Sequence, residues 1–224
     1  MIDTKTFLSD IQSRIGIWCS ADTDGADLAH MVQCATEWNA DVLSVLPDAV
    51  SIIWPWIEKK PIDLVGRFYV NDDKVDEGVM SDLTIKIKQS FKSGASGAMV
   101  FVRYKHLKSM IDQVAIIRDD LFFNRELVIG LDIGDIDSDN WADLFHELKR
   151  INASAVLFVL TKDAGKKSDF VGRVYGLLNA WDADFGGALH FALENRSERI
   201  DQARRLVESI RPELLSGLRF FVNY

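Results

Sequence analysis

The sequence is poor in the features that mark secreted and membrane proteins. Only two of its 224 residues are cysteines, Cys19 and Cys34. Its first residues carry neither the basic segment nor the apolar segment of a secretory signal. No uncharged apolar run approaches the ~20 residues needed to cross a bilayer. We therefore expect a protein of the reducing cytoplasm, with both thiols reduced and no membrane partner.

Several binding motifs are also missing. Lysine and arginine form no long basic run and the formal net charge is -8, so nucleic acid is not an expected partner. The stretch after the first apolar run, Cys19-Ser20-Ala21-Asp22, holds no G-x-G-x-x-G, which disfavours a nucleotide-binding open sheet. Neither H-E-x-x-H nor C-x-x-C occurs, so we predict no structural zinc and no cofactor.

Eight short apolar runs recur along the chain, and most are continuously apolar, as strands buried on both faces are. They are Ile15–Cys19, Val42–Leu46, Ile62–Val70, Ala98–Val102, Leu127–Ile133, Ala155–Leu160, Gly187–Leu193 and Leu218–Asn223. The segments between them have helical periodicity, clearest from Trp141 to Ile151 and from Ile200 to Ile210. Eight parallel strands separated by seven helices predict an α/β fold, a (β/α)8 TIM barrel, with residues 1–224 as one domain.

Both ends of the chain depart from the usual barrel. The sequence has no eighth helix after its last apolar run, whereas Thr4–Gln12 carries an apolar side and predicts an extra N-terminal helix. This helix could cover the gap beside strand eight. If it instead closes the bottom of the barrel, apolar strand surface stays bare, and a homodimer contact would cover it.

Catalytic groups of such barrels lie at the carboxyl ends of the strands. Lys162 follows the sixth run, and Asp132 lies near the end of the fifth. A lysine whose pKa is lowered by burial forms Schiff bases with carbonyl compounds. The other interpretation of Lys162 is a solvated loop lysine that continues the charge run of Lys166 and Lys167.

The placement of Lys162 resembles that in the Schiff-base aldolases built on the same barrel, deoxyribose-phosphate aldolase among them. The resemblance covers this one lysine in its strand context. Those enzymes carry a second basic residue on strand seven, which is absent here, with His190 nearby instead. The resemblance implies carbonyl chemistry with Lys162 as the nucleophile.

His190 and Asp132 are the candidates for proton transfer. His190 is either a general acid-base group that points into the barrel or a core histidine bonded to a backbone carbonyl. His190 is two residues from both Ala188 and Ala192 and therefore shares their strand face. Because both alanines are small, we expect this face to point into the barrel, with room around the ring. Asp132 and Asp135 could also bind a divalent cation, but turn and cap chemistry explains such carboxylates without one. We predict no metal.

Three further residues form the predicted substrate-binding set. Arg67 and Arg103 end adjacent strands and could hold a carboxylate, and Glu194 follows strand seven. Alternatively, these arginines pair with Asp132 or Glu194 and only fill the barrel mouth. The glycine-rich phosphate turns after strands seven and eight are missing, so we do not expect a phosphorylated substrate.

Two functions remain open from the sequence. The first is an enzyme acting on a small carbonyl compound, either a carbon–carbon lyase of the aldolase type or an isomerase. The second is a barrel without catalysis that serves as a binding or assembly protein. An exposed pair of Trp54 and Trp56, on either side of Pro55, would indicate a partner surface.

Overall fold

A computed structural model of the protein describes residues 14–18, 25–70, 75–159, 170–192 and 197–223. Eight parallel strands form a closed barrel in chain order: β1 Arg14–Trp18, β2 Val42–Val45, β3 Asp63–Val70, β4 Gly97–Val102, β5 Glu126–Asp132, β6 Ala155–Val159, β7 Ala188–Ala192 and β8 Arg219–Asn223. The helices of these ranges are α1 Gly25–Glu37, α2 Pro47–Ile57, α3 Glu77–Lys92, α4 Tyr104–Phe122, α5 Trp141–Arg150, α6 Phe170–Ala180 and α7 Ser197–Ile210. The predicted (β/α)8 barrel is confirmed, whereas the predicted helix at Thr4–Gln12 lies outside the described residues.

The barrel buries both faces of its strands, which explains the continuous apolar runs of the sequence. Outward side chains such as Leu43 and Val100 belong to the core between barrel and helices. Inward side chains form a second, smaller apolar core that includes Met99, Leu157 and Phe221. Because side chains alternate along a strand, the interior is filled in layers drawn from alternate strands.

Three helices end in the same turn before the next strand begins. Each turn holds a residue with positive φ, in the backbone region that favours glycine and asparagine: Asn39 at 52°, Gly94 at 114° and Asn152 at 45°. A buried alanine follows each of them, and its N–H donates to the carbonyl five residues earlier, at 2.9, 3.1 and 3.2 Å for Ala40, Ala95 and Ala153. The N–H of the residue after this alanine donates to a backbone carbonyl of the strand that precedes the helix. The same hydrogen bond therefore comes directly before β2, β4 and β6.

Helix α2 contains an internal proline, Pro55, a residue that ordinarily kinks or breaks a helix. Pro47 occupies the first turn, where its missing N–H costs nothing. Pro55 lies in the last turn, and the helix ends two residues later at Ile57. Pro55 has no N–H to donate to the preceding turn of the helix. The lost hydrogen bond lies in the last turn and on the exposed side of the helix, so the helix continues through Pro55.

An ion cluster closes the amino end of the barrel. The Asp41 carboxylate accepts hydrogen bonds from Arg14 Nε at 2.6 Å and from Arg219 Nη2 at 3.0 Å. The Arg219 side chain is 4% exposed and that of Arg14 is 52% exposed. Only the pair with Arg219 is therefore shielded from water.

Strand β8 leaves no bare apolar surface, although no helix follows it within the described ranges. Its outward residues Phe220 and Val222 are buried. The condition under which we expected a homodimer contact at this strand is therefore not met. Large exposed apolar side chains lie elsewhere, including Ile52 and Trp56 on α2 and Tyr175 on α6. None of the helices in the described ranges is long and apolar enough to cross a membrane.

Candidate functional site

An arginine surrounded by aromatic rings lies at the carboxyl end of the barrel, and we call Trp18, Arg67, Tyr69 and Phe101 the mouth cluster. Arg67 and Tyr69 are two residues apart on β3 and therefore share its inward face. The Arg67 guanidinium carbon is 4.9 Å from the centre of the Trp18 ring and 5.7 Å from that of Tyr69. Tyr69 stacks on Phe101 with ring centres 5.0 Å apart, and Phe101 meets the Trp18 ring edge-on at 5.8 Å.

Burial fixes the position of this arginine. Arg67 is 2% exposed, whereas Tyr69 is 46% exposed. A cation over aromatic faces gains more when water is excluded, about 2 kcal/mol at a desolvated site. The cluster thus places a fixed positive charge under a half-exposed aromatic rim, which suits a ligand with a carboxylate or another electron-rich group.

Asp132 ends β5 at the same rim, with its backbone held in a tight turn. Its Oδ1 accepts from the Gly134 N–H at 2.7 Å and so caps the short turn Ile133–Asp135. From α6, Arg173 Nη1 donates to the carbonyls of Ile133 and Ile136 at 3.0 and 3.1 Å. The capping role that the sequence allowed for this carboxylate is therefore present, and the loop that carries it is fixed.

A cleft of about 560 Å³ lies beside this turn and is lined by Arg103, Lys105, Asp132 and Asp135. We call it the rim cleft. Arg103 is exposed there, just after the last residue of β4. Arg67 instead lines another cleft. The two arginines predicted to hold one carboxylate thus line different clefts.

A larger cleft of about 1070 Å³ runs from the mouth between α2, α3 and β3, and we call it the side cleft. It is lined by Leu46, Pro47, Asp48, Ser51, Arg67, Phe68, Tyr69, Val70, Gly78, Val79, Asp82, Leu83, Lys86, Gln89, Ser90 and Ser93. Arg67 and Tyr69 belong to both the cleft and the mouth cluster. The mouth and the side cleft are therefore continuous.

His190 faces into the barrel, as its parity predicts, but it lies below the mouth. The ring is buried, 5.7 Å from the centre of the Phe221 ring. Across the sheet His190 pairs with Arg219, which belongs to the amino-end ion cluster. Asp132, by contrast, is the last residue of β5, at the carboxyl end.

The surroundings of His190 keep its ring neutral. Burial lowers its pKa well below the ordinary value, and the positive charges of Arg219 and Arg14 lower it further. Nδ1 has no hydrogen-bond partner among the residues that the structure describes. The structure thus brings His190 next to the amino-end ion cluster and does not bring it to Asp132.

Two predicted site residues, Lys162 and Glu194, lie outside the described residues. Lys162 comes three residues after Val159, the last residue of β6, and Val159 pairs with Asp132. Glu194 comes two residues after Ala192, the last residue of β7. Their roles stay predictions.

Trp18, Phe101 and Ser90 were not recognised as site residues from the sequence. Trp18 ends β1 on the inward parity of Arg14 and Gly16. Phe101 shares the inward parity of Met99 near the end of β4. Because alternate residues of a strand face the same side, following the inward positions to the ends of β1 and β4 identifies both rings. Ser90 has no comparable signal, because its place in the side cleft depends on how α3 packs on β3.

The sequence matches no family model and none of the curated proteins, whereas several solved structures share the fold. Deoxyribose phosphate aldolase from Aeropyrum pernix, described as tetrameric, is 13% identical, with 99% of this chain and 92% of that chain covered and a TM-score of 0.69. A Toxoplasma gondii protein assigned as a deoxyribose-phosphate aldolase is 10% identical, with 100% and 93% covered and a TM-score of 0.74.

A third solved structure has a different assignment on the same architecture. CutC of Streptococcus agalactiae, assigned to copper homeostasis, is 7% identical, with 95% of this chain and 98% of that chain covered and a TM-score of 0.68. Since fold alone does not fix chemistry, what these similarities establish for this chain is the (β/α)8 barrel.

Proposed function

We propose that this protein is a carbon–carbon lyase of the aldolase type that acts on a small carbonyl compound through Lys162. The observation that carries the proposal is the mouth cluster, a buried arginine under an aromatic rim at the carboxyl end of the barrel, the end at which β5 also finishes in Asp132. In this arrangement Arg67 binds an electron-rich group of the substrate, and the aromatic rings exclude water from it.

Lys162 supplies the nucleophile in this proposal. Its amine attacks the substrate carbonyl carbon, water leaves, and an iminium forms. The iminium draws the electrons of the breaking carbon–carbon bond, while the hydroxyl on the leaving fragment loses its proton and that fragment departs as a carbonyl compound. The remaining enamine takes up a proton, and water hydrolyses the iminium to release the second product and free the lysine. Asp132 is the proton-transfer group, because it ends the strand that pairs with β6. His190 is not part of this mechanism, since its ring is buried beside Arg219 at the amino end of the barrel. The aldolases among the solved structures of this fold support the reaction class by analogy only.

Borohydride trapping tests the proposal. The protein is incubated with acetaldehyde, glycolaldehyde and pyruvate, reduced with borohydride, and examined by peptide mass spectrometry. We expect a reduced adduct on Lys162 with at least one of the three compounds, and no adduct in Lys162→Met.

Lys105→Met is the matched control, because Lys105 also lies at the rim and lines the rim cleft. It should keep the adduct on Lys162. Adducts spread over many lysines would indicate non-specific chemistry and contradict the proposal, as would no adduct with any compound. If substrate is consumed by a rearrangement without carbon–carbon cleavage, the reaction is an isomerisation instead.

A second function is favoured by one observation, the exposed tryptophans of α2. Trp54 and Trp56 are 36% and 41% exposed, and an exposed tryptophan pair is typical of a partner surface. A barrel that binds a protein partner through α2 would show no trapping on Lys162 and would lose its partner in Trp56→Ala.

The compartment and the assembly belong to the same proposal. We infer a cytoplasmic enzyme that binds a small molecule and no nucleic acid. We also infer a homodimer, whose contact uses exposed apolar side chains such as Ile52 on α2 rather than the buried outer face of β8. Sedimentation equilibrium measures the assembly directly. A monomer at all concentrations would remove the homodimer from the proposal.

A further inference from the structure

The side cleft extends the mouth along α3. Its lining starts at Arg67 and Tyr69 on β3 and continues past Asp82 and Lys86 to Ser90 and Ser93. A cleft of about 1070 Å³ exceeds the upper end of the range that encloses a typical small ligand. A substrate that reaches the mouth therefore has room for an extension in the side cleft.

Ser90 is the buried polar group of this cleft. It is 2% exposed, and its Oγ has no hydrogen-bond partner in the part of the chain that the structure describes. The hydroxyl is packed closely against β3, because a Cβ added at Gly66 would lie 2.5 Å from it. A buried hydroxyl without a partner is unfavourable, so its presence in a cleft wall indicates a ligand that bonds to it.

The charges of the cleft disfavour an anionic extension. Lys86 Nζ lies 2.6 Å from Asp82 Oδ2, so this lysine is already paired with a carboxylate. Asp48 adds a negative charge to the opposite wall. Beyond Arg67 at the mouth, a phosphate in the side cleft would therefore meet the carboxylates of Asp48 and Asp82, and Lys86 is already paired with one of them.

The remaining lining fits a neutral molecule with several hydroxyl groups. Ser51, Gln89 and Ser93 each both donate and accept hydrogen bonds, which matches the two roles of a hydroxyl. Tyr69 offers a half-exposed ring whose position is fixed by Phe101. Such a ring can pack against the apolar C–H groups of a sugar or polyol.

The geometry points to the side cleft as a binding site for a neutral, polyhydroxylated extension of the substrate, with Ser90 as a hydrogen-bonding group in its wall. This inference rests on the proposed function for the mouth, since the mouth would hold the carbonyl group. It assigns to the protein an unphosphorylated, sugar-like aldehyde or ketone rather than a short aldehyde or a sugar phosphate.

Ribitol tests the cleft without any carbonyl chemistry, because it is a neutral polyol that cannot form a Schiff base. Its binding is measured by saturation-transfer NMR and by calorimetry in Lys162→Met. Ser51→Trp should fill the cleft from α2 and weaken ribitol binding at least about tenfold. Ser90→Ala should weaken it about fivefold, as expected for the loss of one hydrogen bond. Ser209→Trp places the same substitution on the exposed surface of α7 and should leave binding unchanged.

Trapping with two aldehydes connects the cleft to the mouth. Acetaldehyde fills only the mouth, whereas D-erythrose also carries hydroxyl groups for the cleft. Ser51→Trp should reduce the rate of adduct formation with D-erythrose about tenfold more than the rate with acetaldehyde. D-erythrose 4-phosphate should react more slowly than D-erythrose in the unmodified protein.

The outcomes separate the two proposals. No adduct with either aldehyde, together with ribitol binding that Ser51→Trp abolishes, would refute the lyase and leave the cleft assignment standing. No ribitol binding, or equal binding in Ser51→Trp and Ser209→Trp, would overturn the cleft assignment. Preference for the phosphorylated aldehyde would overturn it as well.

Discussion

The ion cluster at the amino end of the barrel holds one buried and one exposed ion pair, and their contributions to the free energy of unfolding should differ by a measurable amount. Asp41 pairs with two arginines, of which Arg219 is buried and Arg14 is half exposed. Asp41→Asn keeps the shape of the side chain and removes its charge. The guanidinium of Arg219 is then buried without a carboxylate, which usually costs 3–5 kcal/mol. Since Asp41 itself is 28% exposed, water moderates the loss, and we expect about 2–3 kcal/mol.

Arg14→Gln removes the exposed partner of the same carboxylate. Exposed ion pairs contribute less than about 1 kcal/mol, so this variant should be much closer to the unmodified protein. Arg219→Met in the background of Asp41→Asn should recover part of the stability, because it removes the buried charge that has lost its partner.

Urea unfolding at 25 °C and pH 7, followed by circular dichroism, measures all three variants. With a slope of about 2–3 kcal/mol per molar urea, Asp41→Asn should lower the midpoint by about 1 M. If Asp41→Asn costs no more than Arg14→Gln, the buried pair with Arg219 does not stabilise the barrel and the reasoning is refuted.

Three further predictions concern the barrel interior and the side cleft. Because burial lowers the pKa of His190 in the folded chain, the unfolded chain binds the proton first, and stability should fall as the pH drops below about 6.5, by at most about 1.4 kcal/mol per pH unit. Urea titrations at pH 5.5 and 7.5 should show a smaller pH effect in His190→Gln than in His146→Gln, and equal effects would contradict the assignment. Gly16→Ala places a Cβ 2.4 Å from the Phe221 ring and should cost about 1–3 kcal/mol, part of which Phe221→Leu should restore; simple additivity of the two variants would refute the contact. Ser90→Ala should raise the midpoint of thermal unfolding by a few degrees, since it removes a buried hydroxyl without a partner, and a lower midpoint would show that the hydroxyl is bonded in the free protein.

The fold could be predicted from the sequence because its signals are local and repeated. Each strand is a short apolar run, and all eight predicted strands overlap the observed ones, with boundaries that differ by at most one residue. Runs that are apolar at every position require burial on both faces, which a parallel sheet covered by helices provides. The turn at Gly94 was visible as a glycine, whereas the equivalent Asn39 and Asn152 were not used, although asparagine tolerates the same backbone conformation.

The site was only partly predictable, because depth along the barrel axis cannot be obtained from parity alone. His190 was correctly placed on the inward face, but its level follows from the register of β7 against β6 and β8. Arg67 and Arg103 were expected to act together, since they end neighbouring strands. Arg67, however, is the fifth residue of β3, whereas Arg103 follows the last residue of β4, and a shift of this kind separates their side chains.

The repeated turn before β2, β4 and β6 determines which residues of these strands face the barrel interior. In each case the hydrogen bond to the preceding strand is made one residue before the first residue of the new strand, and that first residue, Val42, Gly97 or Ala155, faces inward. Inserting one residue after such a turn would slide the whole strand by one position and turn every inward side chain outward. The side chains that reach the mouth are thus selected at the opposite end of the barrel, so a change of loop length far from the ligand can alter the mouth without touching any residue there.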